Sequence, residues 1–268
     1  LHKAIRRQRQ MCIRDSIGYA RSGWRRSSAD WAALIGYGAI QWPWLLKSLW
    51  GGRRRDKRLL LDRLDLPADA LPNLGSWKAD VGFLTRIVDH IETHRPAHVV
   101  ELGSGASTLV TARALALHGG GTLTSFDQHS DFVEAVRGWL RDHGLAAHIA
   151  HAPLVPAEAP WHALWYDLGQ LPERIDLLLI DGPPWTLHPL VRGSAERLFD
   201  RMGPGGTIML DDASRPGERA IAARWRRRWP DFRWTLGSGI KGTLIGIRDS
   251  EVYQYIVLFF SPMLLNAC

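Results

Sequence analysis

Val99-Val100-Glu101-Leu102-Gly103-Ser104-Gly105-Ala106-Ser107-Thr108 reads as a buried strand that breaks into a glycine turn and opens a helix. Two glycines let the backbone pass close to a ligand, and a helix starting at 106 and running to His118 leaves free backbone N–H groups facing it. A dinucleotide fingerprint, Gly-x-Gly-x-x-Gly, needs glycine at the sixth position, where this chain has Thr108. About twenty residues on, Leu123-Thr124-Ser125-Phe126-Asp127 reads as a second parallel strand delivering a carboxylate beside the first turn, where it can accept hydrogen bonds from both hydroxyls of a ribose.

Outward from this core the apolar runs alternate with amphipathic segments, the pattern of βαβ units around a parallel sheet covered on both faces. Expected helices are 80–94, with Phe83, Leu84, Ile87, Val88 and Ile91 on one face, then 107–118, 131–143, 190–202 and 216–228. Expected strands are 98–102, 122–127, 147–152, 175–181 and 207–210. Residues 153–174, rich in Pro and Trp, read as a loop or insertion. Residues 232–236 and 243–247, flanking a Gly-Ser-Gly-Ile-Lys-Gly turn, read as an antiparallel hairpin. The expected fold class is therefore α/β, a Rossmann-like, doubly wound, mostly parallel seven-stranded sheet with a C-terminal antiparallel hairpin. Its carboxyl edge gathers Asp127, Asp181 and Asp211-Asp212 around the glycine turn, where open parallel sheets bind their ligands.

Glu-x-Gly-x-Gly at 101–105, Asp127, the Asp-Gly-Pro-Pro strand end at 181–184 and Pro-Gly-Gly-Thr at 204–207 together resemble the class I S-adenosylmethionine (SAM) methyltransferases. The resemblance runs from about residue 72 to 247. It implies cofactor contacts at Glu101, Gly103, Ser104, Gly105, Ser107, Asp127, Gln128 and Asp181, with His151 and Ala152 beside the adenine. It also implies methyl transfer, with a hydroxyl of a small molecule or a glycan or lipid precursor as the expected acceptor. Asp181 with Asp211 and Asp212 resembles the magnesium site of the catechol O-methyltransferase group. The chain departs from that group at Pro184, where a catalytic lysine is usual, and at Asp212, where asparagine is usual. Asp181 and His188 are the expected catalytic residues. The competing reading is a nucleotide-sugar or dinucleotide-binding module without transfer chemistry.

The net charge of +7 is unevenly spread over the 268 residues. Residues 1–58 hold 14 Lys and Arg against 3 Asp, whereas residues 59–250 hold 20 against 23 acids, so the basicity says little about the substrate. Nucleic acid is not an expected partner. Gly182 cannot supply the side-chain acceptor of an Asn-Pro-Pro-aromatic motif, and Arg224 to Arg228 with Trp225 and Trp229 reads as a charged helix face over buried tryptophans. Cys12 and Cys268 support neither a disulfide framework nor a cysteine metal site, and a reducing, cytoplasmic setting is expected.

Residues 10–16 look like a translated sequencing adapter, so residues 1–16 are set aside as a non-native leader. Residues 17–58 form a basic, Trp-rich arm, 59–250 the methyltransferase-like domain, and 251–268 an apolar tail of uncertain origin. Within the arm, residues 31–46 are uncharged but short for a membrane span. Two readings stand: a helix lying on a membrane surface, or an arm packed on the domain or on a partner.

Overall fold

The computed structural model describes residues 26–249 except 77, 158, 159, 162, 163 and 240, so the leader and the apolar tail lie outside the described residues. A long helix α1 (Ser28–Ser48) and a short α2 (Arg54–Arg63) precede α3 (Val81–His94). The sheet units follow as β1 (His98–Leu102), α4 (Ala106–His118), β2 (Thr122–Asp127), α5 (Ser130–Asp142) and β3 (His148–His151). Next come β4 (Leu154–Pro156), β5 (Leu164–Tyr166), β6 (Ile175–Ile180), a 3-10 helix (Val191–Arg201), β7 (Met202–Leu210), α6 (Pro216–Arg228), β8 (Phe232–Gly237) and β9 (Thr243–Arg248).

The main sheet has seven strands in the order β3-β2-β1-β6-β7-β9-β8. Neighbours are parallel from β3 through β7, and β9 runs antiparallel to both β7 and β8. The chain moves outward from β1 to β3 and then returns to lay β6 on the other side of β1, so the strand order reverses between β1 and β6. Side chains alternate across this sheet as strand geometry requires. Val99, Leu177 and Leu179 enter one buried cluster with Phe83, Ile87 and Leu109, and Val100, Leu102, Leu178 and Ile180 enter the other with Phe199 and Trp225. Both faces are thus covered, as a largely parallel sheet demands.

Three expectations need correction. The helix expected over 190–202 is a 3-10 helix of eleven residues, and β7 begins five residues earlier than expected, at Met202. Met202 pairs with Ile175 before the register shifts, and Gly205 takes φ +78°, so the glycine stretch is an irregular part of the strand and not a connecting turn. Residues 153–174 are not simply a loop, because β4 and β5 form a separate antiparallel ribbon that ends at Tyr166. Residue 58 falls inside α2, where Leu60 and Leu61 are buried against the domain core.

The arm helix α1 opens on a capping box in which the Ser27 hydroxyl and the Asp30 backbone and carboxylate satisfy each other. It is tied to the domain at its N-terminal end by Arg26, which donates to the Thr186 carbonyl at 3.0 Å. No helix among the described residues is long and apolar enough to cross a membrane.

Phe199, Trp225, Phe232 and Trp234 form an aromatic cluster that joins the 3-10 helix, α6 and the edge strand β8, with Trp225 fully buried. The Trp225 indole N–H also donates to the Gly193 carbonyl at 3.2 Å. Trp225→Ala should therefore cost about 3–5 kcal/mol of stability, the range for truncating a large buried aromatic, measured by urea unfolding.

Candidate functional site

At the point where strand order reverses, the ends of β1 and β6 nearly touch. Gly103 follows β1 with φ +96°, and a Cβ there would lie 2.7 Å from the backbone nitrogen of Gly182, which follows β6 by two residues. A Cβ on Gly182 would in turn lie 2.2 Å from the Tyr166 hydroxyl. Both residues must be glycine for the turns to approach this closely. A cavity of about 210 Å³ opens beside them, lined on its floor by Gly103, Ser104, Asp127, Gln128 and Asp181. Its far wall carries Pro184, Trp185, Arg192, Asp212 and Arg215, and Leu45, Ser48 and Leu49 of the arm close it from above.

The glycine turn is held from beneath. Glu101 shares the face of β1 that carries Val99, so its carboxylate is enclosed under the first turn of α4. There Oε2 accepts hydrogen bonds from Thr108 Oγ1 and Ser125 Oγ, each at 2.6 Å. Thr108 Oγ1 also accepts from the backbone N–H of Gly105 at 2.7 Å, and Ser104 Oγ lies 2.8 Å from Ser125 Oγ. Thr108, the residue that breaks the dinucleotide fingerprint, thus links the acid to the turn, which a glycine could not do. Burial pushes the Glu101 carboxyl up to about 6, against the opposing hydrogen bonds of Ser107, Ser125 and Thr108.

Not every expected contact faces the cavity. Gly103, Ser104, Asp127, Gln128 and Asp181 line it. Glu101 and Ser107 are buried and do not line it, the Glu101 carboxylate bracing the turn through Thr108 while its Oε1 has no hydrogen-bond partner among the described residues. Gly105 sits at the start of α4, and His151 and Ala152 end β3 beside Asp127, with Ala152 donating to the Asp127 carbonyl at 2.9 Å. Asp127 receives the His129 backbone N–H at 2.9 Å, and burial raises its carboxyl to about 6. Ribose hydroxyls arriving at this carboxylate would donate to its charged form and return it toward the ordinary range.

His188 is placed outside the cavity lining. Its Nδ1 accepts from the Leu190 backbone N–H at 3.1 Å, and Nε2 faces Asp30 of the arm at 3.9 Å. With Nδ1 used as an acceptor, the ring proton belongs on Nε2 toward Asp30. His188 thus stands at the contact between arm and domain and not in the cavity lining.

The strand-end acids lie in a dense, buried charge network that the sequence did not reveal. Asp181, Asp211 and Asp212 each offer a carboxylate oxygen, all within 4.8 Å of one another. Lys241, from the turn between β8 and β9, contacts Asp211 Oδ2 at 3.3 Å and Asp212 Oδ1 at 3.1 Å. Arg192, from the 3-10 helix, contacts Asp181 Oδ1 at 3.3 Å and Asp212 Oδ2 at 3.5 Å, and Arg215 pairs with Asp212 and lies 3.9 Å from Glu218. Asp212 has φ +59°, a left-handed conformation that aspartate tolerates. The hairpin turn is locked to this loop, because Ser214 N donates to the Lys241 carbonyl at 2.9 Å and Ala213 N to Gly242 O at 3.0 Å. Four of the six carboxylate oxygens, Asp181 Oδ1, Asp211 Oδ2 and both of Asp212, already face buried cations, whereas Asp211 Oδ1 has no hydrogen-bond partner among the described residues.

Four acids, Asp181, Asp211, Asp212 and Glu218, face three cations in this network. Asp181 is the one least enclosed, and burial followed by repulsion from Asp211 lifts its carboxyl to about 7. A carboxyl poised near neutrality in a cleft is suited to taking up a proton.

Residues 100–213, which span the glycine turn, Asp127 and the strand-end acids, match the model of a family described as a methyltransferase domain. That stretch of the chain is therefore similar to a methyltransferase domain. Solved structures similar to it include an O-methyltransferase from Bacillus cereus in complex with SAH, at 14% identity, covering 81% of this chain and 100% of that one with a TM-score of 0.49. A methyltransferase from Geobacter sulfurreducens is 19% identical, with 72% and 86% covered and a TM-score of 0.47. The O-methyltransferase TomG from Streptomyces achromogenes, in complex with SAM, is 14% identical, with 81% and 99% covered and a TM-score of 0.47. No curated protein matches the chain.

Asp127, which lines the cavity, and Glu101, which braces the turn through Thr108, are separated by calorimetry with SAM and by unfolding. Asp127→Asn should weaken SAM about 10- to 100-fold, the loss of charge-assisted hydrogen bonds worth about 1.5–3 kcal/mol. Thr108→Val, which leaves the Gly105 N–H and the buried Glu101 short of a partner, should cost about 1–3 kcal/mol of folding stability.

Proposed function

We propose that the domain transfers the methyl group of SAM to a hydroxyl oxygen of a small molecule bound between Trp185 and the C-terminal end of α1. The observation that carries this reading is the position of Asp181. It is an acid on the cavity wall between the glycine turn that would hold the cofactor and the arm residues that would hold the acceptor. When bound, SAM supplies an electrophilic methyl group on a positively charged sulfur.

The chain's own residues do the rest. Gly103 and Ser104 offer the close backbone approach for the amino-acid end, and Asp127 the acceptor for the ribose. Asp181 would take the proton of the acceptor hydroxyl, and SAM bound on the glycine turn would supply the methyl carbon to that oxygen and leave as the neutral thioether. Leu45 and Trp185 present apolar surface beside that step. Arg192 holds Asp181 by both its backbone carbonyl and its carboxylate, so the base is fixed in direction. This reading gives the expected magnesium no part, because four of the six carboxylate oxygens of Asp181, Asp211 and Asp212 already face Arg192 or Lys241. Nothing lining the cavity selects a glycan or a lipid precursor.

A second observation favours contact with an anionic membrane surface through the arm. Trp31, Ile35, Trp42 and Leu46 share one face of α1 at four-, seven- and four-residue spacings, and each is half or more exposed. Exposed Lys47, Arg53, Arg54, Arg55 and Arg58 lie at its C-terminal side. Tryptophan at headgroup depth with arginine against anionic lipid is a stable arrangement, worth about 1 kcal/mol per basic residue near the surface.

Two measurements test these readings. The pH profile of kcat/KM should rise to a plateau through about pH 7, because Asp181 must lose its proton to act. Asp181→Asn should lower turnover about 10²- to 10⁴-fold and remove that limb. A profile flat from pH 5 to 9 in the native chain contradicts the assignment. In sedimentation, the chain should pellet with phosphatidylserine-containing vesicles and not with pure phosphatidylcholine, and Trp31→Ser with Trp42→Ser should abolish pelleting. Equal recovery with both vesicle types removes the membrane contact.

A further inference from the structure

We propose that Arg192 and Lys241 are a built-in cation pair occupying the place where a catechol-type donor set takes its divalent ion. The inference rests on the methyl-transfer reading of the same cleft. Three carboxylate oxygens within 4.8 Å of one another are, by themselves, a fair set of hard ligands for magnesium or manganese. Here they are bridged by the chain. The Lys241 ammonium sits between Asp211 and Asp212, donating to Asp211 Oδ2 and to the Lys78 carbonyl and lying 3.1 Å from Asp212 Oδ1. The Arg192 guanidinium spans Asp181 and Asp212, and its other N–H groups meet the carbonyls of Pro183 and Asp211, each at 3.2 Å.

Neither cation has anywhere else to go. The Lys241 side chain is 2% exposed and that of Arg192 5%. A dication entering among these oxygens would have to strip both of their partners and hold three like-signed groups together out of water, which is strongly unfavourable. A magnesium site also demands octahedral oxygen ligands at about 2.0–2.1 Å, whereas these oxygens are arranged around nitrogen donors at 3.1–3.5 Å.

Two consequences follow for chemistry and for substrate class. The positive charge at the strand ends cannot be chelated away, and it acts by holding the acids in place, with proton removal left to Asp181. An acceptor therefore needs a single hydroxyl and no adjacent oxygen to complete a metal chelate, which admits simple phenols and alcohols as well as catechols. Arg192 and Lys241 are positioning residues in this scheme.

The test is a titration of the full chain with manganese, followed by the electron-paramagnetic signal of the free ion, alongside calorimetry with SAM. The native chain should leave the manganese signal unchanged and bind SAM equally well with or without EDTA. Lys241→Met, which removes the ammonium but keeps the stem, should deplete the signal by one ion per chain. Stoichiometric manganese uptake by the native chain overturns the proposal, as does a folded Lys241→Met chain that takes up no ion. If that variant fails to fold, the native titration alone decides. A native chain that binds neither manganese nor SAM upholds the cation pair while defeating the methyl-transfer reading, so the two failures are distinguishable.

Discussion

Two backbones pass so close between the first and sixth strands that neither Gly103 nor Gly182 has room for a side chain. Everything functional is arranged around that approach. The reversal of strand order creates a crevice there and nowhere else along the sheet edge, and the glycines keep its floor bare. Glu101, Thr108 and Ser125 fix the first turn from inside the fold, and Arg192 fixes the second through Asp181 and Pro183. The floor of the cavity is therefore made of backbone held by buried polar groups, a rigid surface on which a charged cofactor can be placed without rearrangement.

The buried charges beyond the floor are balanced within the chain. An isolated carboxylate in such a place would be protonated, and a lone lysine would lose its proton. Interleaving Asp211, Asp212 and Glu218 with Arg192, Arg215 and Lys241 offsets their charges, although Asp211 Oδ1, Glu218 Oε2 and Arg215 Nε have no hydrogen-bond partner among the described residues, and Asp181 is left beside the cavity with a carboxyl lifted toward neutrality. The arm contributes a roof, because α1 delivers Leu45, Ser48 and Leu49 over the cavity while Arg26 and His188 moor its other end.

Much of this was legible in the sequence. The strand at 98–102, the glycine turn, Asp127 and the acids at 181, 211 and 212 fall where period-two burial and strand-end chemistry place them, and the closing hairpin runs antiparallel as read. The periodicity could not show which way a given acid points. Glu101 shares its face with Val99, and that parity alone turns it into the core instead of the cleft. Lys241 and Arg192 were missed because each is one cation in a segment read for its shape, a hairpin turn and a helix, and their acids lie 30 and 11 residues away in sequence. The available signal was the excess of acids at one sheet edge, which requires buried counter-charges from some other segment. His188 looked like a spare base for lack of any indication that the arm folds back to meet it.

The most direct test of the account is a crystal structure of the chain grown with S-adenosylhomocysteine. The account predicts density across the gap between Gly103 and Asp181, with the ribose hydroxyls on Asp127 and the sulfur directed toward the space beneath Leu45 and Leu49. Density lodged elsewhere, or a cavity in which Asp127 and Asp181 make no contact with the ligand at saturating concentration, contradicts it.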